Sequence, residues 1–274
     1  MKNILVPTDF SPCSKNAAFV AFELAKRFGA KLHLFHSQET QYAEAGKNEK
    51  GEPQPGSLQE VVQRAEAFLA QVWHFNVEVP VETAYGVGKP WEGIDQYVTD
   101  HGIDLIVMGS HGTSGKNQFF IGSNTQRVVR RVHCPVLVIK NPLENVNFQK
   151  VVFACRFQEN ELAAFVHFID FIKHFIPEIH LVSIRTSPLD AAYPILLDAM
   201  KPFVDACHPL ACEPHVFSDL SVDEGVRTFA NEIGAELIAI SNQERHPLKR
   251  MFVGSNVEML VNHADLPVLT IDFA

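Results

Sequence analysis

The stretch DLIVMGSHG at residues 104–112, followed by GSNT at residues 122–125, decides the fold of this chain. Its apolar part predicts a short buried strand, and the glycines after it predict a loop that ends where a helix begins. Glycines let backbone N–H groups approach an anion because no Cβ stands in the way. The free N–H groups and positive dipole end of the next helix face the same point. The spacing G-x2-G-x9-G-S therefore predicts a phosphate-binding loop.

Size and composition indicate a globular protein of about two domains, since the chain has 274 residues, 46% of them hydrophobic and 20% charged. The net charge of −9 is uneven: residues 1–145 hold 14 basic and 15 acidic residues, and the remainder holds 9 and 17. An acidic second half argues against a nucleic-acid surface. The odd count of five cysteines and the absence of a signal peptide predict reduced thiols and a cytoplasmic location. No apolar run approaches the roughly 20 residues of a membrane span.

The two halves of the chain repeat one design. GIDLIVMGS (102–110) parallels GAELIAISN (234–242), and FIGSNTQRVVRRVHCPVLVIK (120–140) parallels FVGSNVEMLVNHADLPVLTID (252–272). The later motifs lie 132 residues apart, whereas Asp9 and Arg156 lie 147 apart, so the first half carries about 15 extra residues, which we place in the polar stretch 38–56. That stretch is either a flap near the ligand or a disordered loop, and its composition favours the loop.

Each half alternates apolar strands with amphipathic helices. The first half predicts strands at its start, at 31–36, 77–81, 104–108 and 136–139, and helices over 14–28, 58–73, 90–101 and 123–132, with Ser57 as a helix cap. The second half predicts strands near 151–155, 179–184, 214–217, 237–240 and 268–271. Such alternation predicts an α/β fold of two tandem doubly wound domains with mostly parallel five-stranded sheets. We expect domains at 1–141 and 148–274, joined by a linker that contains Pro142.

Ligands of open parallel sheets bind beyond the carboxyl ends of the strands, where this chain places polar residues and glycines. An aspartate at the end of the first strand suits a ribose hydroxyl or an adenine amine, and the glycine loop suits phosphate. The predicted nucleotide site therefore includes Pro7, Thr8, Asp9, Met108, Gly109, His111, Gly112, Gly122, Ser123, Asn124 and Thr125. The chain lacks both G-x4-G-K-[ST] and G-x-G-x-x-G. The GVGK segment at 86–89 is expected only to connect a strand to a helix.

Simpler interpretations exist for individual members of this set. Ser123 alone is more often a helix cap, and Asp9 alone could cap a helix or form an Asx-turn. His111 alone suits a loop position better than a catalytic base. The joint pattern of glycines, serine and aspartate favours a ligand site over turn chemistry.

With these residues in place, the chain resembles the universal stress protein family in its tandem-domain form. The resemblance rests on ILVPTDFS (4–11), GIDLIVMGSHG (102–112), the glycine–serine spacing and CPVLVIK (134–140). It implies an adenine nucleotide alpha hydrolase-like fold and ATP, or ADP or AMP, as ligand, with adenosine at Asp9 and near Ser37. It also implies that the last strands of two domains pair, here within one chain as a pseudo-dimer, with a further homodimer open.

The second half departs from this pattern. Aligned on GS at 254–255, Gly109 becomes Ser241, Gly112 becomes Glu244, and Asp9 becomes Arg156. Glu244 would place negative charge beside a phosphate, and a pair of Arg156 with Glu244 would close the pocket. We therefore expect a degenerate second domain that binds no ATP and serves a structural or partner-binding role.

Three functions are compatible with these residues. The first is a stress-response regulator that binds nucleotide and is read by an unknown protein partner. The second is a slow ATPase or phosphotransferase that uses the same site, with Mg²⁺ shared by Asp9 and phosphate oxygens. The third is a scaffold without ligand. The chain offers no obvious catalytic residues and no paired carboxylates, which favours the regulator. The second half also contains four potential zinc ligands close together, Cys207, His208, Cys212 and His215. Because they include no C-x2-C pair, we expect no metal site there.

Overall fold

The computed structural model describes residues 1–38, 56–72, 79–111, 121–241 and 256–271. The chain divides into two compact units, Met1–Val132 (unit 1) and His133–Ala274 (unit 2). Both units combine mostly parallel strands with helices, as the sequence predicts.

Unit 1 holds a parallel sheet in the order β3-β2-β1-β4. Its elements in chain order are β1 (Asn3–Pro7), α1 (Pro12–Phe28), β2 (Lys31–Gln38), α2 (Leu58–Val72), β3 (Val81–Val87), α3 (Pro90–His101), β4 (Leu105–Gly109) and α4 (Ser123–Arg131).

Local sequence accounts for the ends of these helices. Ser11 caps α1 by accepting a hydrogen bond from the Ser14 N–H, and Gly29 ends α1 in the left-handed conformation at φ 62°. The predicted cap Ser57 is confirmed at α2, where its hydroxyl accepts from the Glu60 N–H at 3.2 Å. Strand β4 is buried along its whole length, which explains its uninterrupted apolar sequence.

Unit 2 holds strands in the order β5-β10-β9-β6-β7-β8. Its elements are β5 (Val136–Ile139), β6 (Lys150–Ala154), α5 (Leu162–Ile172), β7 (Glu178–Arg185), α6 (Tyr193–Ala206), β8 (Ala211–Ser218), α7 (Val222–Glu232), β9 (Leu237–Ser241), α8 (Asn256–His263) and β10 (Val268–Ile271), with short 3-10 helices at Glu159–Glu161 and Lys173–Phe175.

Backbone geometry repeats between the two units at the positions that the sequence repeat aligns. Gly102 and Gly234 both have left-handed backbone, at φ 57° and 68°. Phe10 and Phe157, which follow the aligned Asp9 and Arg156, also have positive φ, at 62° and 56°. A bulky residue rarely adopts this conformation, so the shared geometry supports the alignment.

Strand β5 pairs antiparallel with β10, with Leu137 opposite Leu269, and this confirms the predicted pairing of the two terminal strands. The Asn141 side chain also donates to the Asp265 carbonyl at 3.0 Å. These contacts place β5 in unit 2, so the compact units divide before it. The domain boundary predicted between 141 and 148 follows the sequence repeat, whereas the compact units divide after Val132. The repeat-based boundary stays a prediction.

The largest departure from the predicted elements is β3, which runs over Val81–Val87 rather than 77–81. Most of its residues are half-buried, as expected of a strand at the sheet edge, so its sequence carries little apolar alternation. The segment GV at 86–87, predicted as a connector, lies inside this strand. The extra chain of the first half is placed as predicted: residues 39–57 separate β2 from α2, whereas only 186–192 separate β7 from α6.

The cysteines depart from the prediction of uniformly reduced thiols, because Cys207 and Cys212 form a disulfide. Cys13, Cys134 and Cys155 are free. Among the helices that the structure describes, none combines the length and the apolar character needed to cross a bilayer.

Candidate functional site

A cleft of about 270 Å³ opens in unit 1 beyond the carboxyl ends of β1, β2 and β4. The starts of α1, α3 and α4 also line it, through Ser14, Pro90 and Ser123. Three helix N-termini thus contribute partial positive charge to one cleft, which suits an anionic ligand. Eleven of the twelve predicted site residues line it: Pro7, Thr8, Asp9, Ser37, Met108, Gly109, His111, Gly122, Ser123, Asn124 and Thr125. The twelfth, Gly112, lies outside the described residues.

The start of α4 is the part of the cleft best suited to an anion. Gly122 occupies the cap position and offers no side-chain acceptor, so no side-chain hydrogen bond caps this helix. The first bond into the helix runs from the Gln126 N–H to the Gly122 carbonyl at 3.0 Å. The N–H groups of residues 123–125 therefore have no partner within the helix. The Gly122 N–H itself is used by the Ser110 carbonyl at 2.7 Å, so Gly122 shapes the turn and is not a free donor.

Gly109 is required for packing as well as for the loop. A Cβ at this position would lie 2.8 Å from Cys13 Sγ and 3.0 Å from the Cys13 backbone carbon and oxygen. The absent side chain therefore lets β4 approach the first turn of α1. The buried Thr125 hydroxyl donates to the Gly109 carbonyl at 2.9 Å, which ties α4 to the end of β4. Its proton is thus already used, and Thr125 positions the cleft wall.

The turn after β1 is held by its own side chains. The Asp9 carboxylate accepts from the Ser11 N–H at 3.0 Å, which is the Asx-turn weighed in the sequence analysis. Thr8 accepts from the Phe10 N–H at 2.9 Å and donates to the Ser14 hydroxyl at 3.1 Å. Asp9 is only half-buried and lines the cleft, so turn formation and ligand contact are compatible at this residue.

Sequence reasoning missed four residues of the cleft wall: Ser14, Phe35, Pro90 and Ile94. Phe35 lies two residues before Ser37 on β2 and so shares its face of the sheet, a signal that the sequence already contained. The Phe35 ring fits between two glycines, because a Cβ at Gly86 or Gly93 would lie 2.9 Å or 3.0 Å from its Cζ atom. This buried ring forms an apolar wall suited to a planar base.

The remaining polar groups lie on the cleft rim. The Ser37 hydroxyl donates to the Gly88 carbonyl at 3.3 Å. His111 Nδ1 lies 2.9 Å from the Ser110 hydroxyl, which fixes the orientation of the imidazole ring.

Unit 2 has a cavity of about 410 Å³ at the corresponding strand ends, lined by Arg156, Glu161, Ser241 and Asn256 among others. The predicted closure by a pair of Arg156 with Glu244 involves a residue outside the described part of the chain. Glu161 aligns with Ser14 of unit 1 when Arg156 is aligned with Asp9. A carboxyl group thus lies in the second cavity where the first has a hydroxyl.

Glu161 is almost completely buried, and both of its oxygens accept hydrogen bonds. The Ser241 hydroxyl donates to one oxygen at 3.2 Å, and the Gln158 N–H donates to the other at 2.8 Å. Burial raises the pKa of the neighbouring Cys155 thiol well above its usual range, and the Glu161 carboxyl adds to that rise. The wall of the larger cavity therefore carries a buried carboxyl group together with the basic side chains of Arg156 and Arg185.

Comparisons with known proteins agree with this fold. The sequence profile of the Universal stress protein family matches residues 1–140 and 212–272. A universal stress protein of Thermus aquaticus is 36% identical over 141 residues, which are 51% of this chain and 98% of that protein. One from Methanocaldococcus jannaschii is 32% identical over 146 residues, 52% of this chain and 83% of that protein.

Among solved structures, a universal stress protein from Archaeoglobus fulgidus superimposes with a TM-score of 0.71. The match covers 98% of this chain and 96% of that one, at 20% identity, and so concerns the fold. Because the family profile matches most of the sequence, this chain belongs to the universal stress protein family.

Proposed function

We propose that unit 1 binds an adenine nucleotide, ATP or one of its products ADP and AMP, and that the chain is a stress-response regulator whose surface changes with nucleotide occupancy. The uncapped start of α4 at the cleft carries this proposal. Backbone N–H groups of residues 123–125 would hold phosphate oxygens, and Asp9 would accept hydrogen bonds from the adenosine part. Phe35 would provide an apolar wall for the base.

Binding is favoured over turnover by the residues of the cleft. Asp9 is the one carboxylate among its described lining residues. Phosphoryl transfer requires a metal site, a positioned nucleophile and charge neutralisation. Asp9 with phosphate oxygens could hold Mg²⁺, but the described wall offers no second carboxylate to fix the ion. A slow ATPase or phosphotransferase remains the second candidate, supported by the fixed orientation of His111.

The nucleotide is assigned to unit 1 alone because of the residues that replace Ser14 and Gly109 in unit 2. Two unit charges about 4 Å apart at an effective dielectric constant near 20 repel by about 4 kcal/mol. That is about half of the 8 kcal/mol that corresponds to micromolar affinity. In unit 2, the Glu161 carboxyl would therefore oppose a bound phosphate.

Calorimetric titration of nucleotide-free protein tests the proposal. We expect one ATP site per chain, lost in Ser14→Glu, which copies the acidic wall of unit 2. Ser14→Gln is the matched control, because it has similar bulk without charge and should retain most of the affinity. Two equivalent sites, or equal affinity in the Glu and Gln variants, would contradict the assignment.

A turnover assay separates the regulator from the enzyme. The regulator predicts hydrolysis far slower than about 1 per second, the lower end of typical enzyme rates. The enzymatic alternative would be established by wild-type rates above that value together with a His111→Asn variant that hydrolyses ATP more slowly but binds it with unchanged affinity.

A further inference from the structure

Two histidines and a glutamate lie together on one face of the unit 2 sheet, away from the strand ends that line its cavity. His180 is on β7, and Glu213 and His215 are on β8. The register places His180 directly opposite Glu213, and His215 is two residues further along the same strand. Cross-strand partners and residues at i and i+2 share a face, so the fold brings all three side chains together.

Their potential ligand atoms converge on one point. His180 Nδ1 lies 3.0 Å from His215 Nε2, and Glu213 Oε2 lies 4.0 Å and 3.7 Å from these two nitrogens. Donors held about 2.0–2.2 Å from a tetrahedral zinc ion are separated by about 3.4 Å. The three observed separations bracket this value, so small side-chain rotations suffice to complete a site.

We propose that His180, Glu213 and His215 form a binding site for a divalent transition metal, with Zn²⁺ as the ion that best matches two imidazoles and one carboxylate. Three protein ligands leave one tetrahedral position for a water molecule. The site is separate from the proposed nucleotide site, because it uses strands of unit 2 and no residue of the unit 1 cleft.

The surroundings of His180 fit a metal ligand. Its side chain is 6% exposed, and its second nitrogen, Nε2, is buried without a hydrogen-bond partner among the described residues. That nitrogen lies 3.4 Å from Glu178 Oε1, so a slight rotation would make the hydrogen bond. Histidines that bind metals commonly donate their other N–H to a carboxylate, which fixes the tautomer.

The two imidazoles of the cluster are desolvated and pack against α7. Desolvation lowers the pKa of His180, against the opposing effect of Glu178 and Glu213, and Lys150 lowers it further. Desolvation also lowers the pKa of His215, and His180 adds to this against Glu213. From α7, the Phe229 ring packs against His215 at a centroid distance of 4.9 Å and shields the cluster on that side.

The sequence prediction grouped His215 with Cys207, His208 and Cys212 and disfavoured a metal site there. The structure explains why that grouping fails, since the two cysteines form a disulfide. The partners of His215 are instead His180, which lies 35 residues away on the neighbouring strand β7, and Glu213, which lies on the same strand β8. Sequence spacing could not indicate the first of these.

Zinc titration of the full, tag-free, chelator-treated protein tests the site. We expect one equivalent of tightly bound Zn²⁺ and, with Co²⁺, the intense visible absorption of a tetrahedral complex. Glu213→Gln and His215→Asn should weaken binding by more than about a hundredfold, because each removes a ligand. Glu178→Gln should weaken it by about tenfold, within the range for residues that orient ligands.

His167→Asn is the matched control, because it removes an exposed histidine of α5 in the same unit and should leave affinity unchanged. Glu213 is 61% exposed, so its substitution should not prevent folding, which circular dichroism would verify. Substoichiometric zinc uptake by the wild type would overturn the proposal. So would wild-type affinity in both ligand variants, or a loss of affinity in His167→Asn as large as theirs.

Discussion

Substitution of Gly109 by alanine tests whether the approach of β4 to α1 builds the cleft. The added Cβ would lie 2.8 Å from Cys13 Sγ and 3.0 Å from two backbone atoms of the same residue. Ordinary contact begins at 3.4 Å, so the start of α1 must move by about 0.4 Å to relieve the backbone contacts. A side chain could rotate away, but the backbone of α1 moves only with its helix.

Overpacking of this kind costs about 1–3 kcal/mol, and we expect about 2 kcal/mol for Gly109→Ala. With a guanidinium m-value of about 4 kcal/mol per molar, the denaturation midpoint of unit 1 should fall by about 0.5 M. Because α1 carries Ser14 and β4 leads to the α4 loop, the same shift separates two walls of the cleft. ATP affinity should therefore fall by about tenfold, or 1.4 kcal/mol.

Guanidinium denaturation and calorimetric titration measure the two effects. Cys13→Ala with Gly109→Ala is the informative combination, because it removes the sulfur contact and leaves both backbone contacts in place. It should recover only part of the lost stability. Full recovery would show that the sulfur, and not the helix backbone, is the obstacle. A wild-type midpoint and affinity in Gly109→Ala would refute the packing argument altogether.

Three further predictions follow from the geometry of unit 1. Thr125→Val should cost about 1–3 kcal/mol of unfolding free energy because it leaves the Gly109 carbonyl without its hydroxyl donor, whereas Thr125→Ser should cost less; denaturation distinguishes them. Gly93→Ala should gain about 1 kcal/mol of helix propensity, offset by a Cβ 3.0 Å from the Phe35 ring, so that stability stays level while calorimetry shows weaker nucleotide binding. Burial lowers the pKa of His33 and His36, so both imidazoles take up protons more readily in the unfolded chain. The stability of unit 1 should therefore fall as the pH drops below about 6.5, the ordinary pKa of histidine. Denaturation at several pH values should show a smaller decline when asparagine replaces either residue.

Much of the fold could be predicted because its signals are local. The stripe of α1, the apolar run of β4 and the repeat at 136–139 and 268–271 all agree with the observed elements. The edge strand β3 was misplaced, since most of its residues are half-buried and their sequence alternates weakly. The sequence predicts cleft residues where loops follow strands. The spacing to Ser37 also indicates the face of Phe35, but the fit of its ring between Gly86 and Gly93 depends on residues of other elements.

The roles of individual glycines were harder to predict than their positions. Gly109 was expected to line the ribose–phosphate region; it lines the cleft, and its missing side chain also accommodates Cys13. Gly122 was expected to belong to the phosphate-binding loop; it lines the cleft, and its own N–H bonds to the Ser110 carbonyl. Both glycines shape the loop, and the proposed donors for an anion are the N–H groups of the residues that follow Gly122. A glycine in the sequence indicates that another group approaches the backbone closely, but it does not identify that group.

By itself, the sequence determined the alternation of elements, the tandem repeat and the strand ends where a ligand site belongs, because periodicity and glycine spacing are properties of neighbouring residues. Only the tertiary structure decided which groups meet across the chain. It placed β5 beside β10, put Glu161 in the wall of the second cavity, and brought His180 into contact with His215. Strand register fixes such meetings, and register results from the packing of the whole sheet.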